Sequence, residues 1–175
     1  MNAARLLAGF ILFPGISSAQ DPRLVVRLEP GVREAVIAFV DSSRADGLPS
    51  EPLVQKALEG ASKGAPGPRI LSALRSLAEN LRIARTALGT ASTEQELVAG
   101  AAAIRAGATI ESIRTLRQAN SARDLSVPLA VLADLVTLGV GMERAHRSVL
   151  DLAKTEARDE DFIRLKQRLD PERRP

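Results

Sequence analysis

The chain has no cysteine, no tryptophan and no tyrosine, and its 175 residues include only four phenylalanines and one histidine. Without cysteine there can be no disulfide, thiol nucleophile, cysteine-ligated zinc or iron–sulfur site, or lipidated cysteine. A single histidine leaves little material for a histidine metal cage or a Ser-His-Asp triad. We therefore predict no metal, no other cofactor and no catalytic residue.

The charge is not concentrated in one sign or one place. The chain has 24 Lys and Arg against 21 Asp and Glu, which gives a formal charge of +3. Acidic and basic residues alternate, as in Arg33-Glu34 and Arg158-Asp159. Proteins that bind nucleic acid usually gather their basic residues on one face or in one run. The sequence therefore predicts a mixed, solvated surface and no specific nucleic-acid partner.

The N-terminus has the pattern of a secretory signal peptide over residues 1–19. Arg5 precedes a short apolar run at residues 6–13, and small residues precede Ala19. The run is shorter than the ~20 residues that a bilayer-spanning helix needs. We expect cleavage after Ala19, which would leave a soluble periplasmic or secreted protein with no transmembrane segment.

The remainder predicts an all-α fold. Apolar residues such as Val32, Val36 and Phe39 recur at helical spacing, and alanine and leucine favour helices. We predict an irregular segment at residues 20–28, a single all-helical domain at 29–169 and a disordered tail at 170–175.

Glycines and polar caps mark the predicted helix ends. Gly64, Gly107 and Gly139 each follow an apolar helical stretch and are predicted to be structural turns, because a C-capping glycine adopts the left-handed conformation. Thr93 and Glu96 have the spacing of a capping box at a helix N-terminus.

Three stretches share one organisation: a helix, a glycine turn and a second amphipathic helix. They begin at Leu53, Leu97 and Leu129. Each is a predicted αα-hairpin that cannot bury its apolar face alone, and stacked hairpins would form a short helical-repeat array. A plain helical bundle is the alternative, because the spacing between the three units is irregular.

The helix after Thr93 is unusually rich in small residues. Leu97, Val98 and Ala101 are predicted to point inward, and the alanines and glycine of residues 99–103 predict close contact between helices.

Two surface clusters are candidate binding faces. Lys56, Glu59 and Lys63 fall on one predicted helix face within a stretch rich in proline and glycine. They could bind a partner; the alternative, which the local spacing favours, is a solvated corner with a Glu59–Lys63 ion pair.

Arginines on the next helix form the second candidate face. Arg75, Arg82 and Arg85 lie near one side of that helix and could bind a polyanion. The alternative is the solvated back of an amphipathic helix.

The sequence GLPSEPLVQKALEGASKGAP, followed by RILSALRSLAENLRIARTALG, resembles stretches of uncharacterised exported helical proteins of high-GC bacteria. The resemblance covers about residues 29–169. It implies export and a helical fold, and because that group has no known activity it assigns no site residue.

Three classes of function remain open. The first is a non-catalytic protein-interaction or scaffold module of the bacterial envelope, with another envelope protein as its partner. The second is a salt-sensitive binder of polyanions or membrane surfaces, since phosphate contacts weaken steeply with salt. The third is an enzyme that uses paired carboxylates in a groove. The missing catalytic motifs and the hairpin pattern favour the first.

Overall fold

The computed structural model describes residues 21–121 and 123–170, and this part of the chain is all-α, as predicted. The predicted signal peptide at residues 1–19 lies outside the described residues. The predicted disordered tail at 170–175 also lies outside them, apart from Asp170. The helices are α1 (Pro22–Arg27), α2 (Pro30–Ala45), α3 (Glu51–Ser62), α4 (Gly67–Leu88), α5 (Glu94–Ala106), α6 (Ile110–Ala119), α7 (Ser126–Thr137), α8 (Met142–Ala153) and α9 (Asp159–Leu169).

The prediction of an irregular segment at residues 20–28 is wrong for its central part, which is α1. The Asp21 carboxylate caps this helix by accepting from the Arg23 amide at 2.9 Å, and Pro22 starts it. Six residues are too few for a detectable period, so the helix depends on tertiary contacts. Leu24 supplies them, because it is only 1% exposed and belongs to the main core.

The three glycines predicted as turns do end helices in the left-handed region. Their φ angles are +64° at Gly64, +112° at Gly107 and +89° at Gly139. In each case the amide of the following residue bonds back to the last helical turn, as from Ala108 to the Ala103 carbonyl at 2.8 Å. These turns are Schellman motifs, which allow the next helix to fold back.

The predicted capping box is also present. Thr93 and Glu96 form a capping box, with the Thr93 amide donating to Glu96 at 2.9 Å and the Glu96 amide donating to the Thr93 hydroxyl at 3.1 Å. Thr109 caps α6 in the same way with Ser112. Ser50, which has the residue type of an N-cap, makes no capping hydrogen bond because its backbone is already helical.

Two glycine-to-alanine substitutions test whether backbone conformation alone decides the effect of an added Cβ on the free energy of unfolding. Gly107→Ala should lower the free energy of unfolding by about 1–2 kcal/mol, since a Cβ is strained at positive φ. Gly31→Ala, inside α2 at negative φ, should instead raise it by about 0.5 kcal/mol. A Cβ at either position would meet no atom within 4 Å, so neither effect is a clash. Urea denaturation measures both, and equal losses would contradict the argument.

From α4 onward, alternate helices lie side by side. Helix α5 packs on α7 and α7 packs on α9, while α4 packs on α6 and α6 packs on α8. The N-terminal ends of α5 and α7 meet, because the Thr93 hydroxyl lies 3.4 Å from the Asp124 carboxylate. These two helices therefore run in the same direction, and their outer surfaces form one face of the molecule.

The core is one continuous cluster of buried hydrophobic side chains, mostly aliphatic, that extends from α1 to α9. The predicted close approach of small residues is confirmed between α4 and α5. A Cβ placed on Gly100 would lie 2.9 Å from the Cβ of Ala84.

Candidate functional site

A shallow apolar groove of about 690 Å³ runs along the outer face of α5, α7 and α9. We call it the α5–α7–α9 groove. Ala102 and Ala130 lie in its wall, and the larger side chains Val98 and Ile163 stand at its edges. Val98 is 40% exposed and Ile163 is 46% exposed. Small residues between two exposed apolar side chains leave a channel that a second apolar element could enter.

The prediction that Val98 points inward is wrong. Its neighbour Leu97 is buried, whereas Val98 lines the groove. Helical spacing alone placed both on the apolar side, because α5 is apolar around most of its circumference. Helices α4 and α7 pack on α5 but leave the Val98 side chain uncovered. Ile110 on α6 is exposed in the same way, although α6 packs on α4 and α8.

The polar groups of the groove lie at its two ends. Glu94 is exposed at the start of α5 and, within the described part of the chain, makes no hydrogen bond or ion pair. At the other end Lys166 of α9 donates to Asp134 of α7 at 2.5 Å. The ion pair links α9 to α7. Between the two ends the groove is lined mainly by aliphatic side chains.

A buried ion pair sets the position of α5 against α6 and α7. The Glu96 side chain is buried, with the residue 3% exposed, and its carboxylate is paired with the Arg117 guanidinium. The same carboxylate accepts from the Leu125 amide at 2.9 Å, directly before α7. Arg117 also donates to the Arg123 carbonyl at 3.1 Å, so one cluster joins three helices and the loop between α6 and α7. The cap at Glu96 was predictable from its spacing to Thr93, whereas the long-range pair with Arg117 leaves no signal in the local sequence.

The predicted partner face is brought together on α3. Glu59 accepts from Lys56 at 2.8 Å and from Lys63 at 2.5 Å, and all three side chains are substantially exposed. Hydrogen bonds from Lys56 and Lys63, with their positive charges, lower the pKa of Glu59 from 4.5 to about 2. The three charged groups pair with one another, as expected for a solvated corner. The cluster lies away from the α5–α7–α9 groove.

The Glu59 carboxylate should titrate near pH 2 by NMR in low salt, with both lysines charged. Because the folded pKa is depressed, the stabilisation is present above about pH 4.5 and is lost as the pH falls toward 2. Lys63→Gln should raise the midpoint, and salt should raise it too, since this pair is exposed. A Glu59 midpoint that Lys63→Gln leaves unchanged would contradict the assignment.

The predicted polyanion face is divided by the fold. Arg82 pairs with the Asp46 carboxylate at 3.3 Å, and Arg85 donates to the Asp46 carbonyl at 2.8 Å. Both arginines therefore fasten α4 to the turn after α2. Arg75 is exposed and makes no such contact with described residues. A polyanion would have to compete with Asp46 for two of the three cations.

The only histidine serves as a contact between helices. The His146 Nε2 atom of α8 lies 3.0 Å from the Ser112 carbonyl and 3.0 Å from the Thr115 hydroxyl, both in α6. Because a carbonyl oxygen can only accept, Nε2 carries the proton. Among the described residues, no group of three or more histidine, aspartate or glutamate side chains is arranged to hold a metal ion.

The described helices include none with both the length and the apolar character to cross a bilayer. Comparison with protein-family models, curated proteins and solved structures gives no match to this chain.

Proposed function

We propose that this chain is a non-catalytic protein-interaction module of the bacterial envelope, and that the α5–α7–α9 groove holds a segment of its partner. The observation that carries the proposal is the groove itself, with aliphatic walls and exposed Val98 and Ile163 at its edges. Contiguous exposed apolar surface is characteristic of interaction sites. The signal-peptide pattern of residues 1–19 supports the envelope as the location.

The helix arrangement supports the finer proposal of a short repeat array. From α4 onward alternate helices pack side by side in two sets, and Gly64, Gly107 and Gly139 end α3, α5 and α7 in the same way. Stacked hairpins of this kind present an extended surface for a ligand. In this arrangement α5, α7 and α9 occupy equivalent positions, and the groove follows from their alignment.

The groove favours an amphipathic helical segment as its occupant. Its alanines, Ala99, Ala102 and Ala130, allow a partner backbone to approach closely, and a helix carries its own backbone hydrogen bonds. The uncompensated carboxylate of Glu94 would favour a basic residue at one end of that segment. Apolar contacts of this type depend little on salt.

The test compares retention by three immobilised versions of the chain. They are the unmodified chain, Ala130→Glu in the groove and Ile110→Glu on an exposed apolar position outside it. An envelope protein that binds through the groove should be retained at high salt by the first and third. Ala130→Glu should weaken it at least tenfold, or by about 1.4 kcal/mol, because it places an unpaired charge against an apolar surface.

Circular dichroism spectra and urea midpoints of the three proteins provide the folding control. Equal retention by Ala130→Glu and the unmodified chain would overturn the groove as the site. Retention only at low salt, lost in Arg75→Gln, would favour the polyanion or membrane-surface alternative.

A further inference from the structure

A second groove, of about 680 Å³, lies between α1 and α3 on a different part of the molecule. We call it the α1–α3 groove. Its apolar lining comes from Pro22, Val26 and Leu58. Val26 is 81% exposed, although its helix is fixed in place by the buried Leu24. The volume is within the range of about 300–1,000 Å³ that small-molecule sites occupy.

A polar contact links α1 and α3 beside the groove. Arg23 of α1 donates to the two carboxylate oxygens of Glu51 in α3, at 2.9 and 2.7 Å, and also to Asp21. The contact is bidentate and links α1 to α3 at this end of the groove.

Almost every polar side chain that lines this groove already has a partner. Gln55 donates to Glu51 at 2.7 Å, the Ser62 hydroxyl donates to the Glu59 carbonyl at 2.9 Å, and Glu59 accepts from two lysines. The exception is Arg27, whose guanidinium makes no hydrogen bond or ion pair within the described residues.

The apolar lining and the unpaired Arg27 guanidinium together favour one kind of ligand. An extended peptide would bring amide and carbonyl groups that find few free partners here, and burying them unpaired is unfavourable. A hydrocarbon chain needs no partners, and a single anionic end group would complement Arg27. We propose that the α1–α3 groove binds a single-chain carboxylate amphiphile of the fatty-acid type, with its chain along Val26 and Leu58 and its carboxylate at Arg27. This site is separate from the α5–α7–α9 groove.

The test uses octanoate, decanoate and dodecanoate below their micelle concentrations, with decanol as the uncharged analogue. Binding to the full chain is followed by NMR of valine and leucine methyl groups. We expect saturable shifts at Val26 and Leu58, and an affinity that rises about two- to fourfold per added CH₂. Shifts confined to Val98 and the other groove, or no saturable shift, would overturn the proposal.

Arginine variants test the head-group contact. Arg27→Gln should weaken decanoate binding about fivefold and leave decanol binding unchanged. Arg105→Gln is the matched control, because Arg105 is also an exposed arginine in the last turn of a helix. Equal weakening by both variants would indicate general charge attraction and overturn the assignment. Binding to anionic phospholipid vesicles without binding of decanoate would overturn it as well.

Discussion

Replacing Glu96 by alanine should lower the free energy of unfolding by about 3–5 kcal/mol. The substitution leaves the Arg117 guanidinium mostly buried without its carboxylate, and it removes the acceptor of the Leu125 and Thr93 amides. An unpaired buried charge and unsatisfied buried donors both cost free energy. Urea denaturation followed by circular dichroism measures the loss.

Two further variants identify the source of that loss. Glu94→Ala, two residues earlier on the same helix, removes an exposed carboxylate and should change stability by no more than about 0.5 kcal/mol. The double variant Glu96→Leu with Arg117→Leu removes both charges and should be less destabilised than Glu96→Ala alone. A loss of less than about 1 kcal/mol in Glu96→Ala, or a double variant that is the least stable of the three, would contradict a structural role for the buried ion pair.

Helix ends were predictable because their causes are local. The positive φ of Gly107 and the capping box of Thr93 and Glu96 depend on residues within one turn of the helix boundary. The i, i+3 and i+4 contacts of Glu59 with Lys56 and Lys63 are local as well. The predicted all-α class follows from such signals summed along the chain.

The contacts between distant segments were not predictable in the same way. Arg117 lies 21 residues after Glu96, and Asp46 lies 36 residues before Arg82. Nothing in their spacing indicates that the fold brings them together. The prediction of a free arginine face depended on the helical wheel of α4 alone, which does not include the turn after α2.

The α5–α7–α9 groove was missed for a related reason. Its lining includes Val98, Ala130 and Ile163, which come from three helices and have no common motif. A helical wheel separates apolar from polar faces but does not say which part of an apolar face a neighbour covers. Only the pairing of α5 with α7 and of α7 with α9 decides that.

Gly100→Val should lower the free energy of unfolding by about 2–3 kcal/mol. A Cβ at this position would lie 2.9 Å from the Ala84 Cβ and 3.3 Å from the Leu88 Cδ1, so any side chain must move α5 away from α4. Ala102→Val, on the same helix but in the groove wall, adds a comparable side chain where there is space and should change stability by less than about 0.5 kcal/mol.

A reciprocal exchange distinguishes a clash from a general intolerance of larger residues at Gly100. Gly100→Ala alone gains helix propensity of about 1 kcal/mol but introduces the methyl–methyl overlap with Ala84. Adding Ala84→Gly removes the opposing methyl, and the double variant should recover most of the loss caused by Gly100→Ala. Because Ala84 and Gly100 are then coupled through one contact, the two effects should not be additive. Additive losses in urea denaturation would mean that α4 and α5 do not meet at this pair, and the small residues of α5 would need another explanation.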